Sequence, residues 1–435
     1  MSFISKRKFV VIGILCALTF HFVPTYLDNR VANSADPNQN ECTPGNPNDP
    51  LNDGMKFPSD DPVVKLIEFT DQGEFKRRCQ FTNLMAELKA SEGKDRTVVL
   101  YVHGWKHSAT SEDFKSFSNQ IDKLSKNASE REKFIGVYVG WNGALGFGKL
   151  FENLTFWNRK NAADQISQTG NLTKIFSSLE NVLGKEERLI LVGHSFGARI
   201  LYSATVQPTI YISNRDERRK EHGFGQNHRL DGFADLTIFV NPAFEASMYS
   251  SIESKRRKKN STHIDQQPLF VTVSSRGDFA TKRMFPIGQY FGLKRNKKEN
   301  RTIGNYPNFI THNLSLTNDM KCNFSKKNFD DILKKRNVNS KQAEHESKFW
   351  YDAWDTPAAI PESEKETKRL CLERLASDFV SVNREYSNEY KQLGNPFLVI
   401  STEKAIIKDH NDIWNDLFMD WLIEFYQETE DRRSN

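Results

Sequence analysis

None of the five cysteines in this 435-residue chain sits in a C-x-x-C pair. That removes zinc-ribbon and thioredoxin-like readings. The chain also lacks a strong charge of one sign. Its 61 Lys+Arg stand against 56 Asp+Glu, a formal +5, too mild for a nucleic-acid footprint. There is no internal repeat. There is no apolar run of the roughly 20 residues that span a bilayer; residues 9–23 form an apolar stretch of 15 residues. A Gly-rich HGGG run is absent as well.

What is present builds a core. Hydrophobic residues make up 37% of the chain and aromatics 12%, which excludes a largely disordered chain. Lys6, Arg7 and Lys8 precede the apolar stretch, and Pro24 follows it. That is the layout of an export signal, cleaved or retained as a signal anchor, over residues 1–28. Either form puts the remainder outside the cytoplasm and makes membrane association through this segment an expectation. Residues 29–62, rich in Asn, Asp and Pro, read as a flexible linker. Beyond Cys16, an even set of four cysteines (Cys42, Cys79, Cys322, Cys371) permits two disulfides in three connectivities. Seven Asn-x-Ser/Thr sequons, Asn171 and Asn313 among them, do not fix the type of organism.

From residue 63 apolar runs alternate with amphipathic stretches. Strands are predicted over 97–102, 134–139, 189–192, 236–240, 269–273 and 397–400. Helices are predicted over 111–126, 161–183, 198–206 and 411–427. The aromatics of the last helix (Trp414, Phe418, Trp421, Phe425) recur at helical spacing and read as core. Continuous apolar strands alternating with helices predict an α/β fold, a mostly parallel sheet covered on both faces. Two insertions interrupt the rhythm, at about 208–232 and about 317–394. The second is long, charged and largely helical in pattern, and precedes the last strand. It reads as a cap or as passive decoration. The basic clusters, 255–259 and the Lys294, Arg295, Lys297, Lys298 group, read as solvated loops or as contacts for anionic head groups.

The chemistry concentrates where strand 189–192 runs into Gly193-His194-Ser195-Phe196-Gly197. In G-x-S-x-G a strand and a helix meet at a tight turn that lifts the serine hydroxyl clear of the sheet. The glycines allow the strained backbone and the close helix approach. The helix offers N–H groups to a developing oxyanion. A serine needs a base, an orienting acid and an oxyanion hole. Tyr101-Val102-His103-Gly104-Trp105 ends an earlier strand, where the second oxyanion donor belongs; the amides of Gly104 or Trp105 and of Phe196 are the candidates. Asp278, in Ser274-Ser275-Arg276-Gly277-Asp278, is the candidate acid, with Glu245 as its competitor. His410, between the last strand and the last helix, is the candidate base, with His312 as the alternative. His103 precedes the serine and reads as structural, and His345 as solvated.

Taken together, His103-Gly104-Trp105, the Gly193–Gly197 elbow continuing into Ala198-Arg199, residues 274–281 and Asp409-His410-Asn411-Asp412 resemble the α/β-hydrolase superfamily, in its esterase or lipase-like branches. The resemblance covers about residues 63–427 apart from the insertions, within an expected hydrolase domain of 63–430. It implies Ser195 as nucleophile, His410 as base and Asp278 as acid, with no metal or organic cofactor. It departs from the family in the long stretch between acid and histidine and in the missing HGGG. The expected function is an exported serine hydrolase of carboxylic esters, with lipid esters as one option, working through an acyl-enzyme. The alternatives are a non-catalytic binding module on the same fold, or a peptidase or acyltransferase using the same triad. A small-molecule or lipid ester is the expected partner, and nucleic acid is not.

Overall fold

In the computed structural model, the described residues are 64–91, 95–107, 112–128, 132–143, 155–221, 230–257, 266–292, 296–317, 369–374 and 396–434. The expected export segment and linker, 1–62, and most of the insertion at 317–394 lie outside them.

The strands are β1 (Val64–Glu68), β2 (Asp95–Val102), β3 (Glu132–Gly140), β4 (Arg188–His194), β5 (Leu236–Val240), β6 (Phe270–Ser275), β7 (His312–Thr317), β8 (Arg369–Arg374) and β9 (Phe397–Thr402). They form one sheet in the order β1-β3-β2-β4-β5-β6-β9-β7-β8. The first eight in that order run parallel, and β8 lies antiparallel on the edge against β7. The helices are α1 (Arg78–Ala90), α2 (Glu112–Asn127), α3 (Phe156–Gln168), α4 (Asn171–Val182), α5 (Phe196–Glu221), α6 (Ser250–Arg257), α7 (Phe285–Phe291) and α8 (Asp416–Ser434). Among the described residues no helix is long and apolar enough to cross a membrane.

The two-residue period of a strand divides the core. Along β2, Val98, Leu100 and Val102 pack on one face with Leu84 and Leu88 of α1, Ile166 of α3 and Ile200 of α5. Val99 and Tyr101 point the other way, onto Phe117 and Ile121 of α2 and Phe418, Trp421 and Leu422 of α8. The aromatic row of the last helix is therefore core, as expected. Burying each such side chain stabilises by about 1.5–3 kcal/mol.

Three boundaries differ from the sequence reading. The helix expected over 161–183 is two, α3 and α4, because Gly170 adopts a left-handed φ of +77° and turns the chain. The helix expected to end at 206 continues through Pro208 to Glu221. Pro208 forfeits one backbone hydrogen bond, but buried Thr209 and Ile210 on the next turn hold the helix to the core. Polar composition alone had marked that stretch as an insertion. Within 317–394, Arg369–Arg374 is a strand, β8, rather than helix. Its pairing with β7 satisfies an edge that would otherwise be open.

The strands bring the ends of β2, β4, β5, β6 and β9 to one rim, where the sheet's parallel direction puts every strand-to-helix turn. Close packing at this rim depends on Gly197. A Cβ there would lie 2.0 Å from the Val102 carbonyl oxygen. Gly197→Ala is expected to lower stability by about 3 kcal/mol, measured by urea unfolding. Gly184→Ala, whose new Cβ meets nothing closer than 3.5 Å, is expected to change it by less than about 0.5 kcal/mol. Equal stability of the two variants would contradict the close approach.

Candidate active site

Ser195 stands between β4 and α5 with φ +55°, a conformation that costs a non-glycine residue energy and is held only by its surroundings. Two contacts hold it. Its amide donates to the Val240 carbonyl at 3.1 Å, and its own carbonyl accepts from Ala243 at 3.0 Å. Gly193 lets α5 close on the strand, since a Cβ there would sit 2.7 Å from Ala198 Cα.

His410, on the segment after β9, reaches Ser195 across the rim. Its Nε2 lies 2.8 Å from Ser195 Oγ, and its Nδ1 lies 2.8 Å from Asp278 Oδ2. A carboxylate can only accept, so Nδ1 carries the proton and donates it. Nε2 is then the lone pair that receives the serine hydroxyl. Asp278 is fully buried at the end of the turn after β6. Burial alone raises its pKa. The His410 imidazole beside it and hydrogen bonds from His410 and Thr281 outweigh that and hold the carboxyl below its ordinary value. Thr281 contributes its amide at 3.0 Å to Oδ1 and its hydroxyl at 2.6 Å to Oδ2. This arrangement can take a proton from the serine and stabilise the imidazolium that results.

The backbone of residue 410 is pinned by two side chains that sequence reasoning did not single out. His194 Nε2 donates to the His410 carbonyl at 2.8 Å, and Asn241 Nδ2 donates to the same oxygen at 3.0 Å. Asn241, left-handed at φ +43°, also accepts the Ser275 amide through Oδ1 at 2.9 Å. Ser275 in turn donates to the Ile407 carbonyl. The ends of β4, β5 and β6 are thus tied to the loop that carries the histidine. The available signal was position: His194 and Asn241 each lie at a strand terminus beside the elbow.

His312 is elsewhere. It opens β7, fully buried, with Nδ1 2.7 Å from its neighbour Thr311 Oγ1. Phe309 and Ile310 before it lie outside the strand, and Leu314 after it is within β7. Glu245 does not reach the imidazole either. It accepts from Lys160 at 2.8 Å, from Gln289 at 2.6 Å and from Arg199, which also binds Asp164 at 2.6 Å. Burial pushes the Glu245 carboxyl up, but Arg199 and Lys160 reverse this and bring it down to about 2. It is an ionic hub joining α3, α5 and the segment after β5.

His103 is structural, as expected. Its ring stacks on Trp141 at 5.6 Å, and Nε2 accepts the Trp141 amide at 3.0 Å. Burial lowers its pKa to about 4, against a small opposing effect of the bond to the Gly104 carbonyl. Burial, then the neighbouring His410, lowers His194 to about 3. Both imidazoles are therefore neutral near pH 7.

The oxyanion candidates line the same place. A Cβ on Gly104 would lie 2.8 Å from Ser195 Cβ, so the 104–105 backbone runs against the serine. Phe196 is the first residue of α5, where N–H groups lack intrahelical acceptors. Trp105 and Phe196 rings lie 6.1 Å apart, and Phe156 joins them at 5.8 and 5.4 Å. Phe285 of α7 packs on Phe156 at 5.9 Å. These rings form an aromatic cluster that starts at Phe196, the residue after Ser195, with Phe196 and Phe285 in the core. A cavity of about 380 Å³ lined by Glu180, Leu189, Asp231, Asp235 and Leu269 lies at the opposite ends of the strands, away from this chemistry. Among the described residues no group of His, Cys, Asp and Glu is arranged to hold a metal.

Two outcomes follow from these charges. Unfolded histidines take protons below about pH 6.5, whereas folded His103 and His194 do so only near 4 and 3. The unfolded chain thus binds more protons in between. Stability is expected to fall by about 1.4 kcal/mol per pH unit for each imidazole as pH drops from about 6.5 toward 4. Urea unfolding at several pH values checks this. His103→Gln should flatten the slope, and a stability independent of pH in that window would contradict the assignment. Glu245→Gln leaves buried Lys160 without its carboxylate and Arg199 with Asp164 alone, and a loss of about 3 kcal/mol is expected. Denaturation at neutral pH measures it, and an unchanged midpoint would refute the hub. No protein-family model, curated protein or solved structure matches the chain, which leaves the geometry of its residues to carry the chemistry.

Proposed function

We propose that the protein is a serine hydrolase that cleaves carboxylic esters through an acyl-enzyme, of the α/β-hydrolase kind. The observation that carries this is the unbroken relay from Ser195 Oγ to His410 Nε2 and from Nδ1 to Asp278, 2.8 Å at each step. In the first half-reaction Ser195 Oγ bonds to the ester carbonyl carbon while its proton passes to His410 Nε2. The tetrahedral oxyanion is met by the amide of Phe196 and by that of Trp105 or Gly104. The C–O bond to the alcohol then breaks, and the imidazolium returns its proton to the leaving oxygen. In the second half water repeats the sequence on the acyl carbon, and Ser195 leaves with its hydrogen restored.

Asp278, kept ionised by its hydrogen bonds, fixes the tautomer of His410 and offsets the positive charge it acquires. Trp105 and Phe156, the partly buried rings of the aromatic cluster, offer apolar surface that suits an acyl group. We also place this domain outside the cytoplasm. Cys79 of α1 is disulfide-bonded, which fits an oxidising compartment, and the basic-then-apolar start of the chain fits export.

A fluorophosphonate probe is expected to label the protein stoichiometrically and to leave Ser195→Ala unlabelled. Ester turnover is expected to drop by about 10⁴ in His410→Ala and to stay within about tenfold in His312→Ala. Labelling of Ser195→Ala equal to wild type would end the hydrolase proposal. A loss confined to His312→Ala would move the base to that residue.

A further inference from the structure

Among the described residues six large hydrophobic side chains are exposed, and four of them fall within twelve residues after Asp278: Phe279 (64%), Met284 (38%), Ile287 (50%) and Tyr290 (66%). The spacing is that of a helical face. A turn of π-helix, Ala280–Met284, runs straight into α7. Asp278, Thr281, Phe285 and Gln289 form the buried side. The outer side carries Phe279, Met284 and Ile287, with exposed Lys282 and Arg283 beside them.

The inner face is fully employed. Asp278 holds His410, Gln289 holds Glu245, and Phe285 packs on Phe156. Gly288 and Gly292 let the helix settle on Phe156 and Trp157, whose rings lie within 2.9 and 2.4 Å of where a Cβ would stand. Folding therefore accounts for the inner residues, while Phe279, Met284 and Ile287 stay exposed on the outer side. Soluble surfaces rarely concentrate apolar side chains in this way.

Charge selects the occupant. Residues 279–301 contain seven Lys or Arg and one Glu. A second copy of this chain would bring like charges together on docking. An apolar patch with Lys282 and Arg283 beside it fits a surface that is anionic outside and apolar beneath, which is an anionic lipid bilayer.

We propose that the outer face of residues 279–290 docks the protein on an anionic membrane, so that the Ser195 site draws its esters from lipid held there. The proposal rests on the hydrolase reading for its substrate but not for its binding. The turn that carries Asp278 is also the turn that would meet the membrane, since Phe279 follows Asp278 directly in the chain.

The test uses the full-length protein, with Ser195→Ala as background for binding so that no lipid is consumed. Vesicles of phosphatidylcholine, with and without phosphatidylglycerol, are the probe, and flotation is the readout. The N-terminal apolar stretch is common to every variant, so differences between variants report this face. Phe279→Ser with Ile287→Ser is expected to weaken binding to anionic vesicles by about tenfold or more. Lys282→Gln with Arg283→Gln is expected to remove most of the preference for anionic over neutral vesicles, by about fivefold per cation.

With Ser195 restored, the Phe279/Ile287 variant should hydrolyse a soluble short-chain ester within about twofold of wild type. It should lose about tenfold or more on a long-chain ester presented in anionic vesicles. Vesicle binding unchanged by the apolar pair would overturn the proposal. So would a concentration-dependent dimer that the same pair abolishes, since the face would then join two copies. Normal vesicle binding with no ester turnover of either kind would instead refute the hydrolase reading and leave the docking face standing.

Discussion

One backbone carbonyl, that of His410, accepts hydrogen bonds from His194 and Asn241, and the meeting of three distant chain segments hangs on it. Ser195 and His410 are 215 positions apart, and Asp278 and His410 are 132 apart. No local preference can bring them together. The parallel sheet places their strand ends on one rim, but a rim several strands wide still allows the loop after β9 to wander. Donors from the ends of β4 and β5 fix that loop to the sheet. Ser275, at the end of β6, fixes it a second time through Ile407. The imidazole then has little choice but to lie between serine and carboxylate, and the ordering entropy has been spent in folding.

Burial has opposite consequences for groups of different charge here, and neighbours decide which prevails. Asp278 and Glu245 are both buried carboxylates near the elbow, and desolvation alone would neutralise either one. Asp278 is offset by a histidine and by Thr281, which leaves a carboxylate oriented toward an imidazole. Glu245 is offset by Arg199 and Lys160, permanent cations that saturate it. A carboxylate with two full cations has little left to give a developing imidazolium. At His194 burial and the neighbouring His410 outweigh the pull of Asp113, so it stays neutral and donates its N–H to the His410 carbonyl.

Much of this was legible in the sequence because strand, turn and helix at the elbow are local. Gly193 and Gly197 mark a close approach that the Val102 and Ala198 contacts bear out. The β-branched runs of β2, β4 and β6 announce buried strands. The histidine was harder, because nothing in the neighbourhood of His312 tells a loop from the first residue of β7. Only strand order does, and β7 lies beyond β9 in the sheet, two strands from β6. Glu245 was equally opaque, since its partners sit on α3, α5 and α7, from Lys160 to Gln289. Helix ends misled where composition opposed tertiary packing. Pro208 and the charges after it suggested an end, whereas buried Thr209 and Ile210 carried α5 onward.

The turn from Asp278 to α7 shows how one short element can serve two demands without conflict. Its inner residues are held by the Asp278–His410 hydrogen bond, by Gln289 on Glu245 and by Phe285 on Phe156. The inner face carries the contacts to His410, Glu245 and Phe156, while Phe279, Met284 and Ile287 are exposed on the outer face. Apolar residues outside expose the chain to aggregation. Such a cost persists where the surface has a use, and here exposed Lys282 and Arg283 stand beside it. A docking surface mounted on the acid's own turn keeps a fixed relation to Ser195 and His410, so contact with a lipid surface orients the site without requiring any part of it to move.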